Sequence, residues 1–157
     1  MQRLDESQTR DMSLLSKRFT CIDPGEWPAR TSNRPRVLVE NPDRAQLQGA
    51  IAILTEAGYD VATCAGVEAG TRCPLVEFGH CNLVGEADVV VTSADLPEGL
   101  PLLELHESRT WPPVVVEATP EQQEVLVELL PDAIFVRTPV DSAELVRAVA
   151  AARASAA

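Results

Sequence analysis

Four short, unbroken aliphatic runs recur along the chain: Val37-Leu38-Val39, Val89-Val90-Val91, Val114-Val115-Val116 and Ile134-Phe135-Val136. A strand with one wet face alternates apolar and polar residues. A strand buried on both faces does not alternate, and short continuous runs of this kind belong to parallel sheets covered on both sides. Tyr59–Thr63 reads as a further strand. The spacing predicts strands near 37–40, 60–63, 88–92, 114–117 and 133–137, with helical segments between them, hence an α/β architecture.

The segments between the runs carry helix signals. Asn41-Pro42 offers a cap and a first-turn proline, Leu47, Ala50, Ile51, Leu54 and Ala57 keep helical spacing, and Gly58 stops the helix. Thr119-Pro120-Glu121-Gln122 has the capping-box pattern, with Val125, Leu126 and Leu129 as the expected buried stripe. Asp141-Ser142-Ala143-Glu144 repeats that pattern before Leu145, Val146 and Val149. A short helix is expected near 100–107.

Residues 1–34 read as a flexible tail, residues 35–153 as the folded domain, and 154–157 as a frayed end. In the tail, Met12, Leu14, Leu15 and Phe19 outline one short amphipathic turn, and Trp27 is placed to dock the tail on the domain. The core must be aliphatic, since aromatic residues make up only 4% of a sequence that is 45% hydrophobic. A net charge of −11 argues against duplex nucleic acid as a partner, because phosphate recognition rewards Lys and Arg. No apolar stretch is long enough for a membrane span, and the N-terminus lacks the apolar core of a signal peptide. The expected location is the cytoplasm, where cysteines are seldom joined in structural disulfides.

The pieces "RVLVENPD", "ADVVVTSADLP", "PPVVVEAT" and "DAIFVRTPVD", in that order and spacing, make residues 36–153 resemble the receiver domain of bacterial response regulators. The resemblance implies a flavodoxin-like three-layer sandwich, with a five-stranded parallel sheet in the order 2-1-3-4-5. It also implies that the positions of the phosphorylation chemistry lie at the strand ends. The family's acidic metal-binding positions fall on Glu40 and Asn41, its phosphoacceptor on Ser93, its switch residue on Ala118 and its phosphate-reading lysine on Thr138. The reactive set is largely replaced. Phosphoryl transfer to a carboxylate needs that carboxylate, a metal and a cation on the moving group. A degenerate pseudo-receiver is therefore implied, not an enzyme, acting in signalling through a protein partner or a homodimer. The family's partner face points to Phe135 and Arg137, and its structures imply a cis peptide at Thr138-Pro139.

The sequence departs from that family between the second and third strands. The connection from Cys64 to Ala87 is long, is broken by Gly66, Gly70, Pro74, Gly79 and Gly85, and carries Cys64, Cys73 and Cys81. Three readings stand side by side. The cysteines are small buried hydrophobes; or Cys64, Cys73 and Cys81, with His80 or Cys21, hold zinc; or Cys73 and Cys81 form a reversible disulfide. The paired Cys-x2-Cys spacing of well-defined zinc sites is absent. Apart from that zinc ion, no cofactor is expected. A thiol- or zinc-based sensor is thus the alternative to the plain interaction module.

Overall fold

The computed structural model describes residues 26–64, 80–94 and 112–156. The expectations for the turn at Met12–Phe19, for Cys21, for Cys73 and for the helix near 100–107 fall outside these residues.

The described elements are β1 (Arg36–Glu40), α1 (Arg44–Glu56), β2 (Asp60–Cys64), α2 (Asn82–Gly85), β3 (Val89–Ser93), β4 (Val114–Ala118), α3 (Pro120–Leu129), β5 (Ile134–Arg137) and α4 (Ser142–Ser155). The strands form one five-stranded sheet in the order β2-β1-β3-β4-β5. Every pairing in it is parallel. The expected strand bounds hold to within a residue at each end.

Because side chains alternate across a strand, each apolar run serves two layers. Val37, Val39, Val89, Val91 and Val115 pack against Leu47, Ala50 and Leu54 of α1 and Leu145, Ala148, Val149 and Ala152 of α4. Leu38, Val90, Val114, Val116 and Ala118 pack against Leu83 and Val84 of α2 and Leu126 and Leu130 at α3. β1, β3 and β4 are buried along their whole length, which is why their sequences show no alternation.

Local signals behave unevenly. Thr119 and Gln122 form the expected capping box, and Asp141 accepts from the Glu144 amide. Gly58 takes φ 101°, a backbone conformation with no steric cost only for glycine. The Thr138-Pro139 peptide is cis, as the resemblance implied.

Three expectations need correction. The cap of α1 is Asp43, whose side chain accepts from the Ala45 and Gln46 amides, and not Asn41. Asn41 Oδ1 instead accepts from the Asp43 amide at 2.8 Å, and its Nδ2 donates to Gln46 Oε1 at 2.8 Å, tying the strand end to the helix. In α3 only Leu126 is buried, while Val125 is 66% and Leu129 54% exposed. Val125/Leu129 and Leu126/Leu130 are adjacent stripes at i, i+4 spacing, and the second faces the sheet. The Cys-bearing connection, expected to be irregular throughout, contains the single-turn helix α2, which buries Leu83 and Val84.

Of the expected tail, the stretch from residue 26 lies against the domain. Trp27 Nε1 donates to the Leu83 carbonyl at 2.9 Å. The Arg36 guanidinium sits 5.1 Å from the Trp27 ring centroid, donates to the Pro28 carbonyl and pairs with Glu86 at 3.0 Å. Arg34 donates to the carbonyls of Thr55, Gly58 and Tyr59, closing the end of α1 onto the start of β2.

Candidate functional site

Parallel pairing brings the C-terminal ends of all five strands to one edge, the edge where open α/β sheets place their ligands. Register fixes the neighbours. Glu40 stands beside Cys64 on one side and Thr92 on the other, Ser93 beside Glu117, and Ala118 beside Arg137. The Asn41 amide donates to the Cys64 carbonyl at 3.0 Å, the Ala94 amide to the Glu117 carbonyl at 2.9 Å, and the Thr138 amide to the Ala118 carbonyl at 3.1 Å. Glu40, Asn41, Ser93, Ala118 and Thr138 therefore lie along one rim, and the first four are buried.

The rim is divided by the pleat. Glu40, Cys64 and Thr92 share the face of Leu38 and Val90, beneath α2. Asn41, Ser93 and Glu117 continue the opposite face. On the α2 side, Glu40 Oε2 and Thr92 Oγ1 are buried with no hydrogen-bond partner among the described residues. Burial pushes the Glu40 carboxyl up to about 8, and the nearby Cys81 side chain adds to the rise. On the other side, burial also raises Glu117, partly offset by a hydrogen bond from the Asn41 side chain.

Around neutral pH Glu40 is therefore largely an uncharged acid. The rim offers a neutral carboxyl, an amide, a hydroxyl, a methyl group and a second hydroxyl. None of these five side chains is the ionised oxygen donor that a hard cation such as the magnesium of receiver chemistry wants. Among the described residues no three of His, Cys, Asp and Glu are gathered to hold a metal.

Cys64 and Cys81 are thiols in the structure and pack against the α2/α3 core layer. Cys81 stands at the N-cap of α2, so the same turn that buries Leu83 carries the sulfur toward Glu40. His80 is exposed. Phe135 is half-buried on the α2/α3 layer, and Arg137 is exposed at the end of β5. A cavity of about 610 Å³ opens at the opposite rim, against Trp27, Arg30, Arg36, Glu86 and Asp88, whose charges are already paired with one another.

Two rim residues escape a reading of the sequence: Thr92 and Glu117. The available signal was a polar residue closing a continuous apolar run, which marks a strand tip carried into the buried rim.

No protein-family model matches the sequence, and no curated protein matches it. Solved structures do match. The receiver domain of a response regulator from Clostridium thermocellum superposes with a TM-score of 0.59 at 21% identity, over 78% of this chain and 96% of its own. The receiver domain of Francisella response regulator 1452 gives 0.60 at 19% identity, over 79% and 100%. The signal receiver domain of an HD-domain-containing protein from Pseudomonas fluorescens gives 0.59 at 19%, over 78% and 97%. At these identities the likeness is one of fold: the chain has the receiver-domain architecture.

Proposed function

We propose that this chain is a non-phosphorylated pseudo-receiver, a signalling or regulatory module that acts by protein contact and not by catalysis. The observation that carries the reading is the composition of the convergent rim. In the alignment that the resemblance implies, Ser93 takes the place of the receiver nucleophile, Ala118 that of its switch hydroxyl and Thr138 that of its lysine. A serine hydroxyl is a weaker nucleophile than the carboxylate that receiver chemistry uses, and neither alanine nor threonine supplies the cation that a phosphoryl group needs. The neighbouring carboxyls, Glu40 and Glu117, are both held toward their neutral forms by burial. The fold then serves as a scaffold in the cytoplasm, and α3, β5 and α4, with Phe135 and Arg137, form the face offered to a protein partner or a second copy.

Incubation with acetyl phosphate and magnesium tests this by intact mass, and the expected mass is unchanged. A phosphate adduct that disappears in Asp95→Asn would show that the nucleophile lies two residues past Ser93, and the reading would be lost.

A second reading, a thiol-based sensor, draws support from the placement of Cys64 and Cys81 around Glu40. Zinc in this role calls on Cys73 and His80 as well. Metal content after purification without chelators, together with titration of the thiols, separates this reading from the first. Stoichiometric zinc, or cysteines that withdraw from titration after mild oxidation, favours the sensor.

A further inference from the structure

α3 exposes three large apolar side chains, Val125, Val127 and Leu129, and two of them share a flank. Val125 is 66% and Leu129 54% exposed, one turn apart on the same flank. The helix around them is acidic: Glu121, Glu124 and Glu128 are all exposed, and its ten residues include no Lys or Arg. An occupant of this face therefore has to bring a short apolar stripe edged with positive charge.

The chain itself contains such a segment. Residues 10–19, RDMSLLSKRF, place Met12, Leu15 and Phe19 at i, i+3, i+7 spacing, the period of one helix face. They set Arg10, Lys17 and Arg18 beside them against a single acid, Asp11. The point from which this segment is delivered is also fixed. Trp27 is anchored to the Leu83 carbonyl and packs on the same core layer as Leu126 and Leu130. Seven Cα–Cα steps lead from Phe19 to Glu26, a reach of up to about 25 Å. That is comparable to the width of a small domain, so α3 is within range.

We propose that residues 10–19 dock as an amphipathic turn on the Val125/Leu129 flank of α3, with their cations over Glu121, Glu124 and Glu128. The chain thereby covers part of the surface it offers to partners. The contact does not depend on the phosphorylation chemistry of the rim, so it stands or falls separately from the pseudo-receiver reading.

Lys17 is the sole lysine in the sequence, which makes the test specific. A water-soluble carbodiimide joins a carboxyl to an amine with loss of one water, so side-chain cross-links can start only at Lys17. The full chain is treated as an equal mixture of ordinary and nitrogen-15-labelled protein, digested and mapped. The expected product links Lys17 to Glu121, Glu124 or Glu128 within one chain, without mixed-isotope pairs. It is expected to fall at least several-fold in Leu15→Asp/Phe19→Asp, while local links from Lys17 to Asp11 persist. Matching urea midpoints for this variant and wild type, measured alongside, show that the domain is retained. Mixed-isotope links to α3 would put a second copy on this face and overturn the proposal. Absence of any link between Lys17 and α3 would overturn it equally.

Discussion

Replacing Glu40 by Gln should make the protein more stable in alkaline solution while changing the shape of only one curve. The Glu40 carboxyl titrates at about 8 in the folded chain, against 4.5 when free of the fold. Below 4.5 both states hold the proton. Between 4.5 and 8 the native state keeps a proton that the unfolded chain has released, so stability falls as pH rises through this window. Well inside the window each pH unit costs roughly 1.4 kcal/mol, and the passage from pH 5 to pH 8 costs about 3.5 kcal/mol. That is a large share of the 5–15 kcal/mol or so that holds a typical domain together. Relaxation and water reaching the carboxylate reduce such figures, so a drop of at least about 2 kcal/mol is the working expectation. Glutamine has no proton to lose, and its own burial cost is a constant offset. Urea unfolding of wild type and Glu40→Gln at half-unit steps from pH 5 to 9 reads the difference directly. The gap between the two curves should widen in favour of the variant up to about pH 8 and then level. Parallel curves across the window would refute the assignment of a buried neutral carboxyl. Glu117 contributes in the same direction to both proteins, so it cancels in the comparison.

Other outcomes follow from the same geometry. Cys81→Ser removes the sulfur that adds to the rise at Glu40, so the midpoint of the pH curve should move down, by less than burial alone accounts for. Asp43→Ala should cost about 1 kcal/mol through loss of the α1 cap, whereas Pro42→Ala should cost far less, as urea midpoints will show. Gly58→Ala meets no atom within 4 Å, so its cost, about 1 kcal/mol, comes from the positive φ alone. Trp27→Ala should loosen residues 26–35, seen as faster amide exchange at Arg34 and Arg36, while β3 and β4 keep their protection.

What could be read from the sequence divides along physical lines. The sheet was legible because a strand buried on both faces writes its burial into consecutive residues, as Val89–Val91 and Val114–Val116 do. The capping box at Thr119 was legible because both of its partners lie within one turn. The cap of α1 was misplaced because Asn41 and Asp43 have similar chemistry two residues apart, and only the folded rim decides which one faces the helix. The buried flank of α3 could not be chosen between two adjacent stripes without knowing where the sheet lies. Docking of Trp27 was legible as a lone aromatic in a polar stretch, but its partner, the Leu83 carbonyl 56 residues away, was not. Burial of Glu40 depends on α2 folding over a strand tip that, on sequence alone, reads as the start of a loop.

Neighbouring valines in β3 look into different halves of the molecule: Val89 and Val91 toward α1 and α4, Val90 toward α2 and α3. Val114 and Val115 divide the same way in β4. Methyl-labelled valine thus supplies two interleaved sets of reporters within a few ångströms of each other, one for each side of the sheet. Anything settling on α3 should disturb Val90, Val114 and Val116 and leave Val89, Val91 and Val115 quiet. A single spectrum would then name the occupied side without any resonance from the bound molecule itself.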